Sequence, residues 1–260
     1  MYLAEVKRDQ GKPSDAAFLY KQVIRSKDER YAKQAAAFWM NSLGETIAKA
    51  KSGGEATKTL DASIEKDFIE ASDYVADNFG TKTEGLQARL NVIVAIAGNP
   101  KRFDEAEGRI TKLIEAAPES PQALTAARLR AQMYSDRLPK KAEEIKGSSQ
   151  AEDFLEVVGD LRKNSALMAA DRKLQKGSLS AFLDQEETRI KIGVIAGQEK
   201  SKDFASAARG YEEFAGTEAK RELSEKAFES AVRNYLSAQD YDSATRTISK
   251  WVGKYKDSKS

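Results

Sequence analysis

One structural unit is written twice near the carboxyl end, and this repetition limits the folds open to the chain more than any other feature. Asp203-Phe204-Ala205-Ser206-Ala207 returns as Asp240-Tyr241-Asp242-Ser243-Ala244. The aromatic residue and the small residue three positions on recur together, 37 residues apart. Between the copies, Leu223, Ala227, Ala231 and Tyr235 fall four residues apart on one helical face. After them, Ala244, Ile248, Trp251 and Tyr255 fall at offsets 0, 4, 7 and 11, a second face that reads as core. Helix, short polar turn, helix, with a repeat in the mid-thirties, predicts helical hairpins stacked into a solenoid.

The remainder of the chain carries the same periodicity. Leu3 to Arg8 reads as the tail of a helix already in progress, ended by Gly11 and Pro13. This predicts a longer parent protein, with any export signal upstream of Met1. Ala17, Tyr20 and Ile24 line the next helix, and Tyr31, Ala35, Phe38, Trp39 and Leu43 lie on a long one over 30–50. Lys51-Ser52-Gly53-Gly54 is a break. Ile64, Phe68, Ala71 and Val75 then mark a helix that Gly80 closes in a left-handed cap. Leu86, Leu90, Ile93 and Ala97 turn through Gly98-Asn99-Pro100 into Phe103, Ala106, Ile110 and Leu113. Pro121 suits the first turn of another helix, which Pro139 stops. Phe154, Val158, Leu161 and Met168 read as one continuous helical face, and Leu179, Leu183, Ile190 and Val194 as the next after Gly177-Ser178. No segment alternates with a strand period, so the fold class is all-α.

Of 260 residues, 40% are apolar and 32% charged, and the sustained 3.6-residue period argues against disorder for so polar a chain. The net charge of +2 gives no global case for nucleic acid or an anionic membrane. Basic clusters such as Arg128, Arg130, Arg137, Lys140 and Lys141 lack interleaved aromatic platforms and read as solvated helix faces. The chain has no cysteine and no histidine, which removes disulfides, thiolate metal sites and the commonest general base. The longest pure apolar run, Val92 to Ala97, is far short of the ~20 residues a membrane-spanning helix needs.

Phe103-x-x-Ala106, Ile110, Leu113 and Pro118, preceded by Leu90 and Ile93, resemble a tetratricopeptide repeat, TPR. Asp203–Tyr255 resembles the same pattern, and Gly11–Ile24 half of it. The run Tyr241, Ala244, Trp251, Tyr255, Ser258 is similar to repeats of bacterial envelope proteins. The resemblance covers about half the chain. It implies an α-α superhelical solenoid of TPR-like hairpins over residues 1–260, irregular at about 51–60 and 135–179. It further implies a non-catalytic scaffold that binds a partner protein or peptide in a concave groove. The alternative is a structural assembly subunit of an envelope or motility complex, with contacts often to itself. A periplasmic or outer-membrane-associated location follows from the resemblance, with the cytoplasm as the alternative.

Groove-facing positions in such a family fall on the first helix of each pair, here Asn91 and Ala95, then Arg233 and Ser237. Arg233 beside Asn234 has the donors to hold a peptide carboxylate or backbone amide. Trp39 sits next to Phe38, and adjacent aromatics cannot share one helical face, so one points elsewhere, into a neighbouring unit or toward a partner. The partner-binding candidates are therefore Trp39, Asn91, Arg233, Asn234 and Ser237. No residues suggest a catalytic, cofactor or metal site. The carboxylate pairs Glu143-Glu144, Glu186-Glu187 and Asp61–Glu65 lie amid basic residues and read as solvated faces, and Glu105–Arg109 and Glu222–Lys226 as helix-surface ion pairs. No phosphate-binding loop or calcium loop is present. Other proteins or peptides are thus the expected partners, with nucleic acid the third reading after scaffold and assembly subunit.

Overall fold

The computed structural model describes residues 1–26, 28–52, 62–218 and 220–256. Among them are thirteen α-helices and no strand, so the chain is all-α. They are α1 (Tyr2–Asp9), α2 (Pro13–Arg25), α3 (Glu29–Ser52), α4 (Ala62–Phe79), α5 (Thr83–Ile96), α6 (Phe103–Ala116) and α7 (Pro121–Ser135). There follow α8 (Ser149–Lys163), α9 (Ser165–Gln175), α10 (Ser178–Lys200), α11 (Phe204–Thr217), α12 (Arg221–Ser237) and α13 (Tyr241–Tyr255). Of the break expected at Lys51-Ser52-Gly53-Gly54, Lys51 and Ser52 instead belong to α3, while Gly53-Gly54, Asp61 of the Asp61–Glu65 pair, and Ser258 lie outside the described residues.

The chain sorts into two compact units, one of residues 1–133 with 161–179, the other of 134–160 with 180–260. In the first, α1 packs on α2, α2 on α3, α3 on α4, α4 on α5 and α5 on α6. Its core gathers Tyr20, Trp39, Leu43, Phe68 and Val75. Lys21 ties three helices together there: its ammonium lies 2.7 Å from Asp67, 2.9 Å from Glu70 and 4.8 Å above the Trp39 ring. Where α4 turns into α5, Gly80 takes φ +58°, as a left-handed helix end requires. Gly85 comes so close to that turn that a Cβ on it would sit 2.4 Å from the Gly80 carbonyl oxygen.

In the second unit α11 packs on α12 and α12 on α13. The repeat seen in the sequence extends to the backbone of its turns. Lys202 and Gln239 both take positive φ, 61° and 60°. One residue on, the Asp203 N–H donates to Gln198 O and the Asp240 N–H to Tyr235 O, each at 2.9 Å. The two aspartates then cap α11 and α13, their carboxylates accepting from the Ser206 and Ser243 N–H groups. The same turn joins α1 to α2, with Gly11 at φ +71° and the Lys12 N–H on Lys7 O. Packing between helices adjacent in sequence, joined by a repeated turn, fits a helical repeat.

Two expectations about elements are corrected. The face from Phe154 to Met168 is not one helix: Asn164 ends α8 and caps α9, its side chain accepting from the Leu167 N–H at 3.0 Å. Glu186 is not on a solvated face either. It is buried, accepting from the Ser135 hydroxyl at 2.5 Å, with Arg189 at 3.3 Å. Ser135 is itself buried, and an unbonded hydroxyl and carboxylate would be costly at this depth. Ala106, Ala207 and Ala244, the small residues of the repeat, are all buried.

Candidate functional site

The structure separates the five partner-binding candidates by exposure. Trp39 is 2% exposed, held in the α2–α4 core under the Lys21 ammonium, and offers no surface to a partner. Its neighbour Phe38 is the aromatic turned off that face, beside the Tyr20 ring at 5.4 Å and beneath the Arg8 guanidinium at 5.0 Å. Asn234 is likewise withdrawn, 1% exposed, its amide donating to Ser230 O one turn back. Asn91 is half-buried, taking a hydrogen bond from Gln87 and facing the Met40 sulfur at 3.8 Å. Arg233 and Ser237 remain exposed on α12.

Those last two line a single feature, an open groove of about 980 Å³ along the α12–α13 hairpin. Its apolar lining is Val232, Leu236, Ile248, Trp251, Val252 and Tyr255, and Glu229, Arg233, Ser237 and Lys256 supply the polar groups. Ile248, placed in the core by its offset from Ala244, is 46% exposed, and Val252 is 59% exposed. Trp251 is half-buried because its other face stacks on Phe228, ring centroids 6.2 Å apart.

The repeat explains why this surface is open. Counting back 37 residues from Ile248, Trp251 and Val252 gives Tyr211, Phe214 and Ala215 on α11. There, α12 brings Ala227 and Phe228 against Phe214 and Ala215, which are 9% and 0% exposed. A surface that a helix covers in one copy of the repeat thus has no covering helix among the described residues in the next. Reading the sequence missed Val232, Leu236 and Val252. The signal that could have found them is Tyr241, Ile248 and Val252 at offsets 0, 7 and 11, a stripe lying beside the one that runs from the buried Ala244 to the half-buried Trp251.

Arg233 carries its charge beside the groove, with Glu199 at 3.6 Å as a loose counter-ion. Glu199 also accepts from the Tyr211 hydroxyl at 3.2 Å. On another side of α13, Glu212 accepts from Lys250 at 2.5 Å and from the Tyr235 phenol at 2.7 Å. Burial works to raise the Glu212 pKa, but these two bonds together with the charges of Lys250 and Arg246 outweigh it and hold the carboxyl below its ordinary value. Burial and the bond to Glu212 push Tyr235 up to about 12.

The other unit has an ionic cleft in which Arg109 grips Asp73 through two bonds of 2.7 and 3.0 Å. In the same network Arg102 bridges Glu105 and Glu65. Hydrogen bonds from Arg102, then from Arg109, hold the Glu105 carboxyl below its usual range. A carboxylate fixed in its ionised form by two guanidiniums is a structural clasp rather than a proton donor. Among the described residues no group of three or more acidic side chains is placed to hold a metal, and no helix is long and apolar enough to cross a membrane.

Compared with family models, curated proteins and solved structures, the chain matches none.

Proposed function

We propose that this chain is a non-catalytic protein–protein interaction scaffold made of TPR-like helical hairpins, meeting a partner protein through the α12–α13 groove. The observation that carries this reading is the groove itself. It is an apolar surface flanked by Arg233 and Ser237, on a hairpin whose earlier copy is covered by a helix. Contiguous exposed apolar surface rimmed by polar groups is the ordinary mark of a protein interaction site. Trp39 and Asn234 have no part in it, and Asn91 belongs to the other unit. Location in the periplasm or at the outer membrane is part of the proposal and rests on the resemblance of the repeats to envelope proteins.

The test is site-specific photo-crosslinking in cells of the source, with a photoreactive residue at Ser237 and, as a control, at the exposed Thr125. A discrete protein adduct at Ser237 and none at Thr125 is expected, in the envelope fraction. Equal, diffuse labelling at both positions would remove the groove from the proposal. A structural assembly subunit is the second reading, and the pattern of residues along α13 favours it specifically.

A further inference from the structure

The open face of α13 has the layout of a surface that recognises itself. Tyr241, Ile248 and Val252 are 63%, 46% and 59% exposed. Their offsets of 0, 7 and 11 return to the same side of a helix with 3.6 residues per turn. With Leu236 of α12, they are all of the large exposed apolar side chains among the described residues of α11, α12 and α13. Along one flank of this stripe, at seven-residue intervals, stand Asp242, Ser249 and Lys256: an acid, a neutral residue and a base. All three are exposed.

We propose that the groove is occupied by a second copy of this chain, with the two α13 helices packed antiparallel about a two-fold axis near Ser249. This rests on the reading of the groove as a protein-interaction site. In an antiparallel helix pair, residues on the same flank meet with their order inverted. Asp242 of one copy then faces Lys256 of the other, Lys256 faces Asp242, and the two Ser249 side chains face each other. In a parallel pairing the same flanks of the two helices lie on opposite sides of the contact, so Asp242 and Lys256 would not meet each other across it. The charge order therefore selects the antiparallel arrangement, as flanking charges set orientation in paired helices generally.

The apolar part of the surface agrees with this. Val252 and Ile248 of each copy enter the partner's groove beside Trp251 and Leu236, and the exposed Tyr241 ring gains cover. The covering element is again a helix, as α12 is for the equivalent residues of α11. A two-fold contact of this kind uses one patch twice and closes on itself, so it yields a dimer and not a filament.

Sedimentation equilibrium of the whole chain over a range of concentrations tests the proposal, with circular dichroism checking that each variant keeps its helix content. The wild-type mass should rise with concentration toward twice the monomer. Val252→Glu, on an exposed position, should leave the chain folded and monomeric. Asp242→Lys should weaken the dimer at least tenfold and Asp242→Lys with Lys256→Asp should restore it, a rescue that lost helix stability alone would not produce. A wild-type chain that stays monomeric throughout, or a dimer indifferent to Val252→Glu and to the charge exchange, overturns the proposal. If the chain is monomeric while Ser237 crosslinks a different protein, the scaffold reading stands and self-association falls. If it is monomeric and Ser237 captures nothing, both fall.

Discussion

Tyr235 ties the chemistry of a single side chain to the stability of the α11–α13 unit. It is 4% exposed, and its phenol donates to Glu212, which Lys250 also holds. Burial and that carboxylate raise its pKa to about 12, against an ordinary value of 10.0. The proton is thus bound more tightly in the folded chain than in the unfolded one. Its contribution is complete below pH 10 and is lost as pH rises through the folded value near 12. We expect the urea midpoint of the wild type to fall over this alkaline window more steeply than that of Tyr235→Phe. Superimposable pH profiles would show that the phenol is not coupled to folding. Glu212 acts in the opposite direction. Its folded pKa lies below the ordinary value of 4.5, so its contribution is present above that value and lost as pH falls through the folded one. The sequence showed Tyr235 as a buried position on the Leu223–Ala231 face, but not its acidic partner. Glu212 lies 23 residues away, and only the packing of α12 on α11 brings them together. Trp39 shows the same limit. Periodicity required Phe38 and Trp39 to diverge, but which ring is buried is decided by how α2 and α4 pack on α3, where Lys21, held by Asp67 and Glu70, covers the Trp39 ring.

At the scale of elements, the helices were legible because their signals are local: a 3.6-residue apolar period, prolines at 13 and 121, and glycines at 11 and 80 where φ is positive. The α8–α9 break was not legible because Asn164 interrupts the hydrogen bonds without disturbing the apolar phase from Phe154 to Met168. The open side of α13 was missed because two apolar stripes lie side by side on it, and the sequence alone does not say which one has a neighbour. Small residues at helix crossings were legible, and they support a direct test. Ala106 is 0% exposed, so Ala106→Leu forces three extra carbons into a filled site and should cost roughly 1–3 kcal/mol. An unchanged urea midpoint would remove that crossing. Lys254 shows how α13 also finishes α11. Its ammonium reaches the carbonyl oxygens of Ala215, Gly216 and Glu218 at 2.6, 3.3 and 3.1 Å, the acceptors that a helix leaves unsatisfied at its end. Lys254→Met keeps the aliphatic stem and removes the charge, so the loss should be about 1 kcal/mol at low ionic strength, shrinking as salt is added. A cost that does not vary with salt would assign the effect to packing of the stem.

At the scale of the whole molecule, the chain visits its two compact units alternately. Residues 1–133 are joined by 161–179, while 134–160 and 180–260 make the other unit. In the sequence this stretch reads only as the irregular region at about 135–179, with nothing to show the alternation. The divisions at 160/161 and 179/180 fall inside α8 and α10, where the helical period continues, so no loop composition marks them. The consequence is testable by fragments. The segment 161–179 brings Leu161, Leu167, Ala170 and Leu179 to the first unit, all at most 5% exposed. A fragment of residues 1–133 lacks them, whereas a fragment of 1–179 contains that unit entire. Burial of each leucine is worth roughly 1.5–3 kcal/mol, so the shorter fragment should unfold at a clearly lower urea concentration. It should also show a smaller denaturant slope, because less surface is exposed when it unfolds. Adding a synthetic peptide of residues 161–179 to the shorter fragment should recover part of the lost midpoint, since whatever binds only the folded form stabilises it by mass action. Equal midpoints for the two fragments, with no response to the peptide, would mean that 1–133 folds without its inserted segment. The first five hairpin contacts, α1 through α6, would then be a self-sufficient stack, with each helix stabilised by its neighbours in sequence alone.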